Sequence, residues 1–79
     1  MDIKVKLFGT LTWNFPGYDA SRGMDVVFPD GARISELLAH LEISKNDGYL
    51  VSMNNRIRKP REMLKQDAVY NILPAWFGG

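Results

Sequence analysis

An α+β fold, a mixed sheet of four to five strands with one main helix packed on one face, is the expectation that three observations set. Apolar and polar residues alternate with period two near both ends of the chain and twice between them. A single stretch, Ile34, Leu37, Leu38 and Leu41, has the i, i+3, i+4, i+7 spacing of one apolar helix face. Neither that helix nor a sheet can bury its apolar side alone, so each is expected to cover the other.

Taken in order, Ile3, Val5 and Leu7 alternate with Asp2, Lys4 and Lys6 as a half-buried strand that Gly9 ends. Residues 10–23 carry Pro16, Gly17, Asp19, Ser21 and Gly23 and read as loop or turn. Trp13, Phe15 and Tyr18 inside it either fold back over a core edge or form an exposed contact patch. Met24, Val26 and Phe28 share one face of a second strand, and Pro29-Asp30-Gly31 is a turn. Glu36 stands where a capping-box acid belongs, but Arg33 replaces the usual Ser or Thr three residues earlier. His40 falls off the apolar stripe and reads as a solvated helix residue.

Asn46-Asp47-Gly48 is a further turn, and Tyr49, Val51 and Met53 alternate with Leu50, Ser52 and Asn54 as a strand. Asn54-Asn55 suits a tight hairpin because asparagine tolerates the left-handed region. Residues 56–59 form a short returning strand closed by Pro60, and Met63 and Leu64 are the apolar anchors of the polar segment after it. Tyr70 and Ile72 belong to the last strand, which Pro74 should stop because it has no N–H. First and last strands are expected to be central, parallel neighbours, a β-grasp arrangement. The expected core is Val5, Leu7, Val26, Phe28, Ile34, Leu37, Leu38, Leu41, Tyr70 and Ile72.

Seventy-nine residues, 46% of them hydrophobic, make one small domain with a modest core. Residues 1–74 are expected to form the body and 75–79 a flexible tail ending in Gly78-Gly79. A formal charge of +1 calls for no nucleic-acid or membrane partner. The absence of cysteine removes disulfides, thiolate catalysis and cysteine-ligated zinc. The single histidine makes no metal site by itself, so no metal and no bound cofactor are expected. The first residues alternate charge with apolar groups, unlike a signal peptide or a membrane span, and the cytoplasm is the expected location.

The end of the sequence is the candidate for the chemistry, with a frayed terminus, where glycine is also common, as the alternative. Gly78 and Gly79 lack a β-carbon and can thread a narrow channel, and a terminal carboxylate with a pKa near ~3.5 is ionised at neutral pH. Trp76 and Phe77 are two large apolar side chains in a tail, expected to be mobile alone and ordered against a partner. Arg56, Arg58, Lys59, Arg61 and Lys65 form a basic cluster, either a solvated sheet edge that discourages aggregation or a surface for an acidic partner.

A β-grasp body of this size ending in Gly-Gly resembles the prokaryotic ubiquitin-like sulfur carriers, such as the molybdopterin synthase small subunit and the thiamine-pathway carrier. The helix of residues 34–41, the strand Val51-Ser52-Met53-Asn54, and Leu73-Pro74 before Gly78-Gly79 carry the resemblance over nearly the whole chain. Asn55 replaces the usual glycine of the hairpin, and Gln66-Asp67 the usual Gly-Asp or Asp-Gly. The long 10–23 connection is similar to the molybdopterin branch and the short 42–48 connection to the thiamine branch.

The resemblance implies a carrier and not an enzyme. Its Gly79 carboxylate would be adenylated by an activating enzyme using ATP and magnesium. A desulfurase or rhodanese-type sulfur donor would convert it to a thiocarboxylate. The sulfur would pass to an acceptor of the molybdopterin synthase large-subunit or thiazole synthase type. Two alternatives stay open: a modifier joined to target lysines, and a β-grasp binding module without covalent chemistry, contacting RNA through residues 56–65.

Overall fold

A computed structural model describes residues 1–44 and 47–75. Five strands, β1 (Asp2–Leu7), β2 (Met24–Val27), β3 (Tyr49–Met53), β4 (Arg56–Arg58) and β5 (Val69–Pro74), form one sheet in the order β2-β1-β5-β3-β4. The central pair, β1 and β5, is parallel, with Val5 opposite Tyr70 and Leu7 opposite Ile72, and the other three pairs are antiparallel. One α-helix, α1 (Ile34–His40), lies in the connection and packs on one face. This is the β-grasp arrangement.

Alternation decides which side faces the helix. Ile3, Val5 and Leu7 of β1, Val26 of β2, Val51 and Met53 of β3, and Tyr70 and Ile72 of β5 are buried together with Ile34 and Leu37 of α1. Shifting any of these strands by one residue would turn its apolar set to water, so burial itself sets the register. Ala32, Leu41, Ile43 and Leu64 close the rim of this core, and Leu11 enters it from the loop after β1. None of Ile3, Leu11, Ala32, Ile43, Val51, Met53 and Leu64 was in the expected core.

Three expectations need correction. Leu38 and Phe28 are half-buried instead of core. α1 sets Leu37 over the sheet and leaves Leu38 on its flank, beside Ile43 and Tyr49. Phe28 lies just past the end of β2, with its ring edge-on to exposed His40 at 5.5 Å between centroids. Met63 is 58% exposed, so of the two expected apolar anchors only Leu64 is buried. The 10–23 connection is also not wholly loop: Gly9–Asn14 form a 3-10 helix, entered through a left-handed Gly9 (φ 69°).

The helix start shows how an unsuitable residue is tolerated at a cap. Arginine has no acceptor for the helix N–H groups, so only half of the capping box forms, with Arg33 N donating to Glu36 Oε2 at 2.6 Å. Glu36 N donates locally to Arg33 O at 2.9 Å, and the first two helix amides are satisfied from afar. Ile34 N donates to Glu62 O and Ser35 N to Pro60 O, each at 2.9 Å.

The turns follow their expected chemistry. Asn54 (φ 53°) and Asn55 (φ 65°) are both left-handed, so asparagine serves where glycine was the usual residue. Asp67 (φ 63°) turns the chain into β5, its N–H donating to Asp2 O at 2.7 Å. Of the turn at 46–48, Asn46 lies outside the described residues. Asp47 closes the described part, its carboxylate accepting from Ser44 N at 2.7 Å.

Candidate functional site

Glycine 78 and Gly79, the expected reacting end, and Trp76 and Phe77 beside them lie outside the described residues. The structure does show where β5 leads. Pro74 is buried and still pairs with Tyr49, so the strand stops at the proline as expected. Beyond it, Ala75 N donates to Gly48 O at 2.6 Å, one further step of the β3–β5 ladder. On the other side the 3-10 helix closes against Pro74, because a β-carbon at Gly9 would stand 2.9 Å from Pro74 Cγ. Thr10 Oγ1 and Tyr49 Oη meet at 3.5 Å across the same end. The last described residues are thus held from both sides.

The sheet face away from α1 has no covering layer among the described residues. Its side chains form rows across the strands by register. Leu50 of β3 stands opposite Leu73 of β5. Phe8 is extended (φ −127°, ψ 156°) and donates its N–H to Ile72 O, so it continues the outward set of β1 beside Leu73. Phe8 is 46% exposed, while Leu50 and Leu73 are half-buried. The next row is Lys6, Asn71, Ser52 and Ile57. An apolar row therefore adjoins the point where β5 ends, with a more polar row behind it. Period two places Phe8 on the outward side of β1, and only the register with β5 and β3 shows that Leu73 and Leu50 stand beside it.

The loop aromatics divide between the two readings left open for them. Tyr18 folds back, its hydroxyl accepting Leu7 N–H at 2.8 Å, and Phe15 packs against the core rim. That Leu7 amide points past the start of β2, where no strand carbonyl is available. Trp13 on the 3-10 helix is 80% exposed. Next in the chain after Tyr18, Asp19 accepts from Ser21 Oγ at 2.6 Å and Ser21 N at 2.9 Å, which holds its carboxyl below the usual carboxylate range.

The basic cluster is not uniform. Arg56, Lys59, Arg61 and Lys65 are exposed, whereas Arg58 is half-buried, opposite Val51 on the core-facing side of β4. Its Nη1 stands 3.8 Å from Glu62 Oε1. Arg33 donates through Nη1 to Arg61 O, tying this segment to the start of α1. Among the described residues no group of three metal-ligating side chains converges, and no helix is long and apolar enough to cross a membrane.

No family model matches the chain, and no curated protein sequence matches it. Solved structures do. SAMP1 from Haloferax volcanii is similar over 100% of both chains, with a TM-score of 0.70 and 17% identity. A putative molybdopterin converting factor, subunit 1, from Pyrococcus furiosus aligns over 94% of this chain and 97% of its own, with a TM-score of 0.72 and 19% identity. A second structure, of the H. volcanii small archaeal modifier protein 1, has a TM-score of 0.72 at 17% identity, covering 92% of this chain and 95% of that one. At these identities the likeness establishes the β-grasp fold.

Proposed function

We propose that the chain is a sulfur carrier whose Gly79 carboxylate is activated and loaded by other proteins. The observation that supports it most is the placement of β5. This strand lies at the centre of the sheet, its chain is held as far as Ala75, and its end adjoins the apolar Phe8–Leu73–Leu50 row; Trp76-Phe77-Gly78-Gly79 come next in the sequence. A partner docked on that row lies next to the end of β5, after which the sequence has only Ala75 before Trp76-Phe77-Gly78-Gly79. The fold of a molybdopterin converting factor subunit supports the same reading.

The chemistry asks little of the carrier. A carboxylate is a poor electrophile until one oxygen becomes a good leaving group, and ATP supplies AMP with release of pyrophosphate. Persulfide sulfur on the donor, released as sulfide by a thiol reductant that is oxidised to a disulfide, then displaces AMP and leaves a thiocarboxylate. Both steps take place on partner proteins, an adenylating enzyme with ATP and magnesium and a desulfurase or rhodanese-type donor, and the sulfur then passes to an acceptor synthase of the molybdopterin or thiazole type. On this reading the chain is a substrate of enzymes.

A second reading shares the activation step. The likeness to a small archaeal modifier supports joining of Gly79 to a lysine of a target protein. Both readings require adenylation of Gly79, and they part at the nucleophile, sulfide for the carrier and an amine for the modifier.

ATP–pyrophosphate exchange with an adenylating enzyme from the same genome tests the shared step. One residue appended after Gly79 moves the carboxylate about 3.5 Å, so exchange should be lost while the fold persists. Normal exchange with the extended chain would sink both readings. Gly78→Val should likewise block exchange by adding β-branched bulk where backbone must pass.

A further inference from the structure

The β3 edge contains a gap at its beginning. β4 pairs with β3 only from Val51 to Met53, whereas β3 starts at Tyr49. Continuing the register places Pro60 opposite Tyr49. Proline has no N–H to give, and the Pro60 carbonyl already accepts Ser35 N–H at 2.9 Å. Gly48 O faces β5, so by alternation the Tyr49 N–H and C=O face the other way, into this gap.

The gap opens onto a hollow lined by Leu38, Ile43, Tyr49, Leu50, Arg58 and Pro60, with a volume of about 170 Å³. An apolar cavity of about 150 Å³ accepts a benzene-sized group, so a branched aliphatic side chain fits. Arg58 brings charge to its wall. Its Nε is buried and donates to no acceptor among the described residues. Glu62, the acid paired with it among the described residues, stands at 3.8 Å, beyond hydrogen-bond distance. Arg56, Lys59 and Arg61 are exposed on the same strand and the turn after it.

We propose that this groove binds an extended segment of a partner protein in which an Asp or Glu adjoins aliphatic residues. The segment's backbone pairs with the Tyr49 edge, as in strand addition to an open sheet. Its carboxylate accepts from both Nη groups of Arg58, whose side chain is 25% exposed, a two-pronged geometry that guanidinium favours. An aliphatic neighbour fills the hollow over Leu38 and Ile43. A nucleic acid fits less well, since its bases need aromatic stacking faces and these walls are largely aliphatic. The inference is independent of any chemistry at Gly79.

Titrating the ¹⁵N-labelled protein with acetyl-Leu-Ile-Asp-Leu-Ala-amide, followed by NMR, tests it. The Tyr49 amide and the Arg58 Nε–H signals should shift together. The peptide with Asn for Asp should bind about tenfold more weakly, as loss of a charged acceptor implies. Arg58→Ala should weaken the Asp peptide by a similar factor, and Arg58→Lys should not restore it. Should Arg58→Ala fail to fold, the Asp and Asn peptides on the parent protein decide alone. Equal binding of the two peptides, shifts elsewhere, or no shift with either overturns the proposal. An oligouridine RNA that moves the same signals at lower concentration overturns it as well.

Discussion

Gly9 and Pro74 approach so closely that a β-carbon on the glycine would stand 2.9 Å from Pro74 Cγ, and Gly9 has a left-handed φ of 69°. The 3-10 helix that Gly9 begins can therefore seal the end of β5 only while residue 9 has no side chain. The Gly9–Pro74 contact joins the loop after β1 to the last rigid turn before the sequence Trp76-Phe77-Gly78-Gly79.

Gly9→Ala should lower stability by about 1–3 kcal/mol, the usual cost of holding a non-glycine residue in such a conformation. Gly31→Ala is the control, because Gly31 also has positive φ but its β-carbon would meet nothing within 4 Å. Thermal unfolding should show the larger loss at position 9. Equal losses would mean that the Pro74 contact adds nothing to the backbone term.

On α1, Leu37 and Leu38 exchange the roles that helical spacing alone leaves equal. Leu37 is wholly buried, so Leu37→Ala should cost about 2–5 kcal/mol. Leu38→Ala should cost clearly less, since Leu38 already faces the groove. Urea unfolding of the two variants decides, and a costlier Leu38→Ala would contradict this placement of the helix.

Tyr18→Phe removes the acceptor that satisfies Leu7 N–H at 2.8 Å. Leaving that amide unpaired should cost about 1–3 kcal/mol, toward the lower end because the bond is only partly buried. Hydrogen exchange at Leu7 should accelerate beyond what the global loss explains. Unchanged exchange would show that another acceptor takes over.

Asp19 offers a test with a definite sign. Its carboxyl is held below the ordinary value of 3.8 first by the Ser21 hydroxyl and then by Ser21 N–H. A depressed native pKa contributes stability that is present above the unfolded value and lost as pH falls through the native one. Ser21→Ala should therefore raise the Asp19 pKa toward 3.8, read from its side-chain carbon shift. An unmoved titration would assign the depression to some other group.

Much of this fold is legible in the sequence because burial writes itself as periodicity. The alternation at Ile3, Val5 and Leu7 and at Tyr70 and Ile72 identified the two central strands, and the Asn54-Asn55 hairpin followed from turn chemistry. What escaped depends on contacts distant in sequence. The start of α1 is completed by Glu62 O and Pro60 O, so no inspection of Arg33 reveals how it is capped. The 3-10 helix at Gly9–Asn14 has one buried residue, Leu11, and a single apolar anchor has no period. The outward row of Phe8, Leu73 and Leu50 joins three strands and exists only once they are in register. The basic cluster was visible as composition, yet the sequence could not show that Arg58 is half-buried while Arg56, on the same side of β4, is exposed. The reacting end at Gly79 was read from residue type and resemblance, and it lies outside the described residues.

The intact mass of the protein, taken after co-expression with an adenylating enzyme and a sulfur donor from its own genome, tests the central claim most directly. Replacement of one carboxylate oxygen by sulfur should add about 16 mass units, and the gain should map by fragmentation to Gly79. The gain should vanish when the adenylating enzyme is omitted or one residue is appended after Gly79. An unchanged mass in the presence of all components, together with no pyrophosphate exchange, would contradict the account.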